Sequence, residues 1–379
     1  MPARIAFIAG DPNLPERLPP LLAAARALGL ECHVLTDMRE ARGLVERAGG
    51  RLVPVAASLR SINPAKAGYA SGQVAAALKA VRPDLVHAVG LGPSLIGGAA
   101  CAMARVECRL YSLGPLGALA LPDDRMASIG RRVVASLLKG PLRTASTRFI
   151  VETDADRALL GLEGGEPGEV AVLPGAGVDP ERTRPLPMRA LPPLRIAIAA
   201  PMVWREGIDV AVEAVRLARE AGADLDLSLF DQDGSRLRRL GRGVLEDWSR
   251  QPGIRLHPAG EDGTAEIWHD HHVACLPSRG GAGVPAFLLE AAASARPLVT
   301  TDVPGCRELV SDGTEGFLVP PDDPAALAAA FAKLAADPVL LPRMGAAARA
   351  RALHGYLERD LIEAVKRLYS GLLGKAAGP

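Results

Sequence analysis

Short apolar runs alternate with longer amphipathic stretches along the chain. Ile5–Gly10 reads as a strand with its turn, Leu14–Leu28 as a helix ended by Gly29, and Glu31–Thr36 as the next strand. Arg39–Ala48 predicts a helix closed by Gly49–Gly50, and Arg51–Val55 a strand. Ala67–Val81 predicts a helix stopped by Arg82–Pro83, and Leu85–Val89 a strand. Strands this short and apolar suit a parallel sheet buried on both faces, and their alternation with helices implies βαβ units. The rhythm restarts later. Arg195–Ala200, Leu225–Phe230, Ile254–Pro258, Val273–Leu276 and Leu298–Thr301 read as strands, and Ile208–Ala221 and Pro285–Ala293 as helices. Ala325–Ala335 and Leu357–Leu373 are the closing helices.

Between the two series lies Asp179–Pro193, with Pro180, Pro185, Pro187, Pro192 and Pro193. This is linker composition, and it sets the expected boundary near 186. The expected domains are therefore 1–186 and 187–356, with a last helix at 357–379. A length of 379 residues suits two domains. Two doubly wound α/β domains facing each other would form a central cleft at the carboxyl ends of their strands.

Composition narrows the function. Hydrophobic residues make up 49% and aromatic residues 3%, so the cores are Ala, Leu and Val, and a disordered chain is excluded. Lys+Arg 44 against Asp+Glu 43 argues against a nucleic-acid binder. Cys32, Cys101, Cys108, Cys275 and Cys306 are scattered without a Cys-x-x-Cys pair. They read as buried or free thiols, not a disulfide frame or zinc site. Ile5–Ile8 is too short for a signal peptide or a membrane span of ~20 residues, so a cytoplasmic location is expected. Ile8–Asn13 reads IAGDPN, which lacks the Gly-x-Gly-x-x-Gly of a dinucleotide oxidoreductase.

One series of motifs points further. Leu276-Pro277-Ser278, Gly283-Val284-Pro285, Leu288-Leu289-Glu290-Ala291-Ala292-Ala293, Arg296-Pro297-Leu298-Val299, Thr301–Glu308 and Gly316–Pro321 run in order. Weaker matches lie at Arg17-Leu18-Pro19, Pro83–His87, Leu95–Gly98 and Gly175–Asp179. Together they resemble the GT-B glycosyltransferases of family 4, in particular the branch that builds bacterial surface polysaccharides on lipid-linked acceptors. The resemblance implies two Rossmann-like domains, a donor-holding C-terminal domain and a last helix that crosses back to the first. It implies retaining transfer of a hexose or N-acetylhexosamine from a nucleotide diphosphate sugar, UDP-sugar above all. No further cofactor, no metal and no protein nucleophile are implied. The leaving diphosphate is proposed for this family to act as the base toward the acceptor.

Several positions depart from the family pattern. The family stabilises the leaving diphosphate with an Arg and, five residues on, a Lys. Aligned on Trp204 and Gly207, those positions hold Pro201 and Glu206. Pro donates no hydrogen bond, and Glu repels phosphate. The family's paired Glu residues, seven residues between them, correspond to Ala282 and Glu290. Ala282 cannot accept a bond from the donor sugar, whereas Glu290 is retained for the ribose hydroxyls. Glu16 and Gly92 stand where relatives often carry His and Lys. Losing two phosphate-site cations would remove ~10³–10⁵-fold of rate.

Two readings stay open. In one, the chain is a working transferase, with Glu290 on the ribose and Arg205 and the amides of Gly280, Gly281 and Gly283 on the diphosphate. Val284 and Pro285 complete that donor loop, and the acceptor enters near Gly10, Arg17, His87 and Gly117. In the other, it is a catalytically impaired relative that serves as a binding or scaffold partner, beside an active glycosyltransferase.

Each signal also has an ordinary reading. Glu206 at the start of a helix would gain ~0.3–1 kcal/mol from the helix dipole. The glycines also suit a plain turn, and Glu290 a salt bridge to Arg307. His269, His271 and His272 match no zinc spacing and read as a solvated loop. His87 ends a strand, near the cleft, and also suits a hydrogen-bonded structural role. Met126–Phe149 is a basic amphipathic stretch, suited either to packing with a solvated basic face or to peripheral contact with the inner face of a membrane.

Overall fold

Adjacent residues of the first strand belong to different apolar clusters. Ile5, Phe7 and Ala9 join Leu18, Leu22 and Val365, whereas Ala6 and Ile8 join Val74, Ile96 and Ala100. Side chains alternate across a strand, so this sheet is covered on both faces. The computed structural model describes residues 2–10, 14–38, 41–61, 63–120, 125–165, 168–232, 239–257, 266–280 and 283–376.

The chain divides into two units, one ending at Ala176 but resumed at Glu358, the other spanning Gly177–Leu357. The first unit opens with β1 (Arg4–Ala9), α1 (Leu14–Ala27), β2 (Glu31–Thr36), α2 (Arg42–Arg47) and β3 (Arg51–Pro54). It continues with α3 (Pro64–Val81), β4 (Leu85–Val89), α4 (Leu91–Ala104) and β5 (Arg109–Ser112). Next come α5 (Arg125–Lys139), β6 (Thr147–Val151), α6 (Asp154–Leu159) and β7 (Val170–Val172). The second unit holds β8 (Leu194–Ala200), α7 (Ile208–Glu220), β9 (Leu225–Asp231), α8 (Arg242–Ser249), β10 (Ile254–His257) and α9 (Ile267–Asp270). After these come β11 (Val273–Leu276), α10 (Ala286–Ala293), β12 (Leu298–Thr301), α11 (Cys306–Leu309), β13 (Gly316–Val319), α12 (Pro324–Ala336) and α13 (Leu340–Gly355). The last helix, α14 (Glu358–Ala376), belongs to the first unit.

Both sheets are parallel and doubly wound. The first has the order β3-β2-β1-β4-β5-β6-β7, and the second β10-β9-β8-β11-β12-β13. Strand order therefore reverses between β1 and β4, and again between β8 and β11. Ligands of open α/β sheets bind outside the carboxyl ends of the strands at such reversals.

Local chemistry explains where several elements begin and end. α3 starts at Pro64, earlier than the apolar pattern implies, because Asn63 caps it. The Asn63 side chain accepts from the amides of Ala65 and Lys66 at 3.1 and 3.2 Å. The helix ends at Arg82, which is left-handed at φ 52°, just before Pro83. The stretch 126–149 is not one helix: α5 stops at Lys139, and Thr147–Phe149 belongs to β6. Gly140-Pro141 accounts for the break, since Pro lacks the amide a helix needs.

The division at Ala176 falls before the expected boundary near 186. The proline-rich segment is tied to the second unit by its own hydrogen bonds. Arg296 donates to the carbonyls of Leu186 and Pro187 at 2.8 and 3.1 Å, and Arg349 donates to Thr183 at 2.8 Å. The Val178 amide donates to Tyr356 at 2.7 Å. All five cysteines are buried and unbridged. Among the described residues, no single helix is long and apolar enough to cross a membrane.

Candidate functional site

In the second unit the candidate residues gather at the carboxyl ends of β8 and β11, beside the reversal of strand order. After β8 the chain passes Pro201, forms a 3-10 turn at Trp204–Glu206, and enters α7 through Gly207. Gly207 sits at φ 69°, and a Cβ there would lie 1.9 Å from the Pro277 carbonyl oxygen. Only glycine lets the two loops approach this closely. Gly305 does the same for the next loop: at φ 89°, its Cβ would lie 1.8 Å from the Gly283 oxygen. The loops are thus packed backbone against backbone where Gly207 meets Pro277 and where Gly305 meets Gly283.

The charges in this cluster are paired. Arg205 donates to Glu206 Oε1 through Nε at 3.2 Å and through Nη2 at 2.8 Å. Glu206 is only 3% exposed. The structure thus corrects the helix-start reading of Glu206. Arg205 neutralises its neighbour, and Glu206 is a buried ion-pair partner that makes no capping bond to α7. The first-turn acid of α7 is Asp209. Burial pushes the Cys306 thiol up to about 12, and the nearby Glu206 carboxylate adds to that rise.

Arg279, which no motif singles out, also belongs to this cluster. Its Nη1 and Nη2 donate to the two carboxylate oxygens of Asp209 at 3.0 and 2.8 Å, and its Nε donates to Asp322 at 2.6 Å. It also donates to the Trp204 carbonyl, and its amide donates to the Arg205 carbonyl at 2.8 Å. The Asp209 hydrogen bonds hold its guanidinium above the ordinary value. The available signal is an Arg directly before Gly280, just past the end of β11, with Asp209 in the first turn of α7.

Downstream, the Gly280 amide donates to the fully buried Ser278 hydroxyl at 3.2 Å. Gly283, Val284 and Pro285 are buried and lead into α10. Glu290 is half-buried on that helix, among buried Phe287, Leu288, Leu289 and Ala291. Arg307, the alternative partner for Glu290, is paired with Asp302 at 2.9 Å. Gly281 and Ala282 lie outside the described residues.

The histidines of this unit are not a solvated loop. His272 is fully buried, accepts from the Arg195 amide at 2.9 Å, and meets the Arg189 carbonyl at 3.0 Å. His271 is 8% exposed and bonded to the Ile267 carbonyl at 2.8 Å, while His269 is exposed. Burial lowers the pKa of His271 and His272. Among the described residues, no three His, Cys, Asp or Glu side chains are placed to hold a metal.

In the first unit, two of the expected acceptor-side residues take structural roles. His87 is fully buried, with its ring nitrogens 2.8 Å from the hydroxyls of Tyr369 and Ser112. Burial lowers its pKa to about 3. The position faces the α1 and α14 layer, which is why it cannot reach a ligand. Arg17 is 9% exposed, donating to Glu152 at 2.5 Å and to the Gly114 carbonyl at 3.1 Å. With Gly175 and Leu361 this pair lines a cavity of about 30 Å³, room for a water but not a sugar ring. Gly10 is buried at the end of β1, and Gly117 opens a 3-10 turn. At Gly92 a Cβ would lie 2.9 Å from the Leu59 carbonyl oxygen, so a longer side chain has no room there.

Comparison with known proteins bears on the fold and on the second unit. Residues 193–337 match the family model for glycosyl transferases group 1. A putative colanic acid biosynthesis glycosyltransferase, WcaL of Escherichia coli K12, is 36% identical over 46% of this chain and 45% of its own length. The amylovoran biosynthesis glycosyltransferase AmsK of Erwinia amylovora is 27% identical over 54% of this chain and 52% of its own. The chain thus spans about half the length of these curated relatives. The Anabaena protein Alr3699/HepE, solved with UDP-glucose, superposes with a TM-score of 0.77 at 16% identity, covering 97% of this chain and 99% of that one. Sucrose-phosphate synthase from Thermosynechococcus elongatus superposes at 0.76 and 19% identity, covering 98% and 100%. These structural likenesses define the fold. The chain has the GT-B fold, and its residues 193–337 are a glycosyl transferases group 1 domain.

Proposed function

We propose that this chain transfers a hexose or N-acetylhexosamine, with retention, from a UDP-sugar to a lipid-linked or polysaccharide acceptor. The observation that carries the reading is Glu290: a half-buried carboxylate on an otherwise apolar α10, behind the Gly-rich loop at the carboxyl end of β11. A carboxylate there would accept hydrogen bonds from two ribose hydroxyls, and backbone amides at the end of β11 would meet the diphosphate. The relatives named for colanic acid and amylovoran synthesis support a polysaccharide or lipid-linked acceptor. UDP-glucose in the HepE structure supports the donor class.

On this reading the diphosphate meets a site whose two arginines already have carboxylate partners. Arg205 reaches phosphate only by leaving Glu206, and Arg279 only by leaving Asp209 and Asp322. That pairing favours a second reading, a catalytically impaired relative that supports a partner glycosyltransferase. Calorimetric titration with UDP, UDP-glucose and UDP-N-acetylglucosamine separates the two. Micromolar binding that weakens in Glu290→Ala and Arg205→Ala supports the transferase. Binding weaker than about 1 mM for all three ligands supports the scaffold.

A further inference from the structure

We propose that α5 docks this chain on the surface of an anionic lipid bilayer. This stands apart from the donor-site reading and rests on the faces of one helix. Ala127, Val134 and Leu138 of α5 are buried, at 5%, 7% and 0% exposure, and attach the helix to its unit. Met126, Ile129 and Val133 are turned outward, at 73%, 50% and 53%. Their spacing of three and four residues makes one continuous stripe along the helix. Single exposed apolar side chains are ordinary on a protein surface. Here three of the eight large exposed hydrophobics among the described residues share one stripe.

The second feature is charge. Arg125, Arg132 and Lys139 recur every seven residues, so they run side by side along the edge of the apolar stripe, and all three are exposed. Arg131 is directed inward and donates to the Leu119 carbonyl at 2.6 Å. No Asp or Glu occurs from Arg125 through Val151. An apolar stripe with a cationic border is the pattern of a helix lying in a bilayer interface, its apolar residues among the acyl chains and its cations at anionic headgroups. The same border disfavours a second copy of the chain, which would bring like charges together. Charge complementarity therefore selects an anionic lipid surface as the occupant.

The test is co-sedimentation of the full chain with vesicles of phosphatidylcholine alone or mixed with phosphatidylglycerol, at low and high salt. The expected result is binding to the mixed vesicles that high salt weakens, and little binding to phosphatidylcholine. Ile129→Asp with Val133→Asp should lower the partition about tenfold or more while leaving the melting temperature and circular dichroism unchanged. Arg132→Glu with Lys139→Glu should remove the preference for phosphatidylglycerol. Absence of lipid-dependent sedimentation, or undiminished binding by the folded variants, overturns the proposal. So does a concentration-dependent dimer that the Ile129→Asp, Val133→Asp variant abolishes, which would assign the stripe to a second copy.

Discussion

Replacing Glu206 by Gln should make the protein less stable yet a better binder of UDP. Glu206 is 3% exposed and accepts two hydrogen bonds from Arg205, whose side chain is 22% exposed. Removing one partner of a fully buried ion pair costs about 3–5 kcal/mol. The partial exposure of Arg205, and the one carbonyl oxygen that Gln retains, reduce this to about 1–3 kcal/mol. At roughly 2–4 °C per kcal/mol for a unit of this size, the melting temperature should fall by about 2–12 °C. The same change frees a guanidinium beside the Gly-rich loop and removes a negative charge that opposes the diphosphate. A charged hydrogen bond contributes about 1.5–3 kcal/mol, so UDP should bind about ten- to a hundredfold more tightly. Calorimetry on Glu206→Gln, with Arg205→Ala in both backgrounds, measures this. The reasoning is refuted if the folded Glu206→Gln protein binds UDP no better, or if the gain persists without Arg205.

Further predictions concern the fold that carries the site. Burial lowers His87 from its ordinary 6.5 to about 3, and lowers His271 and His272 as well. The unfolded chain therefore takes up protons below pH 6.5 that the folded chain refuses, and stability falls with pH by roughly 1.4 kcal/mol per unit for each fully buried histidine. Urea midpoints that decline between about pH 7 and about pH 5 would bear this out, and a flat profile would count against it. Tyr369→Phe removes the hydroxyl 2.8 Å from His87. It should cost about 1–3 kcal/mol in urea unfolding and leave UDP affinity unchanged. Gly207→Ala places a methyl 1.9 Å from the Pro277 oxygen at φ 69°. It should cost about 2–4 kcal/mol in thermal unfolding and weaken nucleotide binding, because the loops it separates carry the site.

Much of the architecture is legible in the chain. Glu31–Thr36, Leu85–Val89, Val273–Leu276 and Leu298–Thr301 are strands with the very bounds the apolar runs suggest. Each is a short apolar run closed by turn residues. α4 escapes the same reading because Leu91–Ala104 has no charged residue, so no polar face marks its period. Phe149 reads as part of an amphipathic helix because the apolar positions on either side of Gly140-Pro141 happen to stay in phase.

Side-chain partnerships are another matter. The Arg-for-phosphate reading of Arg205 is reasonable from spacing, but Glu206 is adjacent, buried and already bonded to it. Arg279 is joined to Asp209 and Asp322, far away along the chain. His87 meets Tyr369 from the last helix. Periodicity and turn chemistry act between neighbours, so the sequence by itself determines which segments are strands and helices and which face each must bury. The partner of a charge or ring nitrogen depends on which distant segment the strand order brings to the same loop end. That choice is made only when the sheet closes.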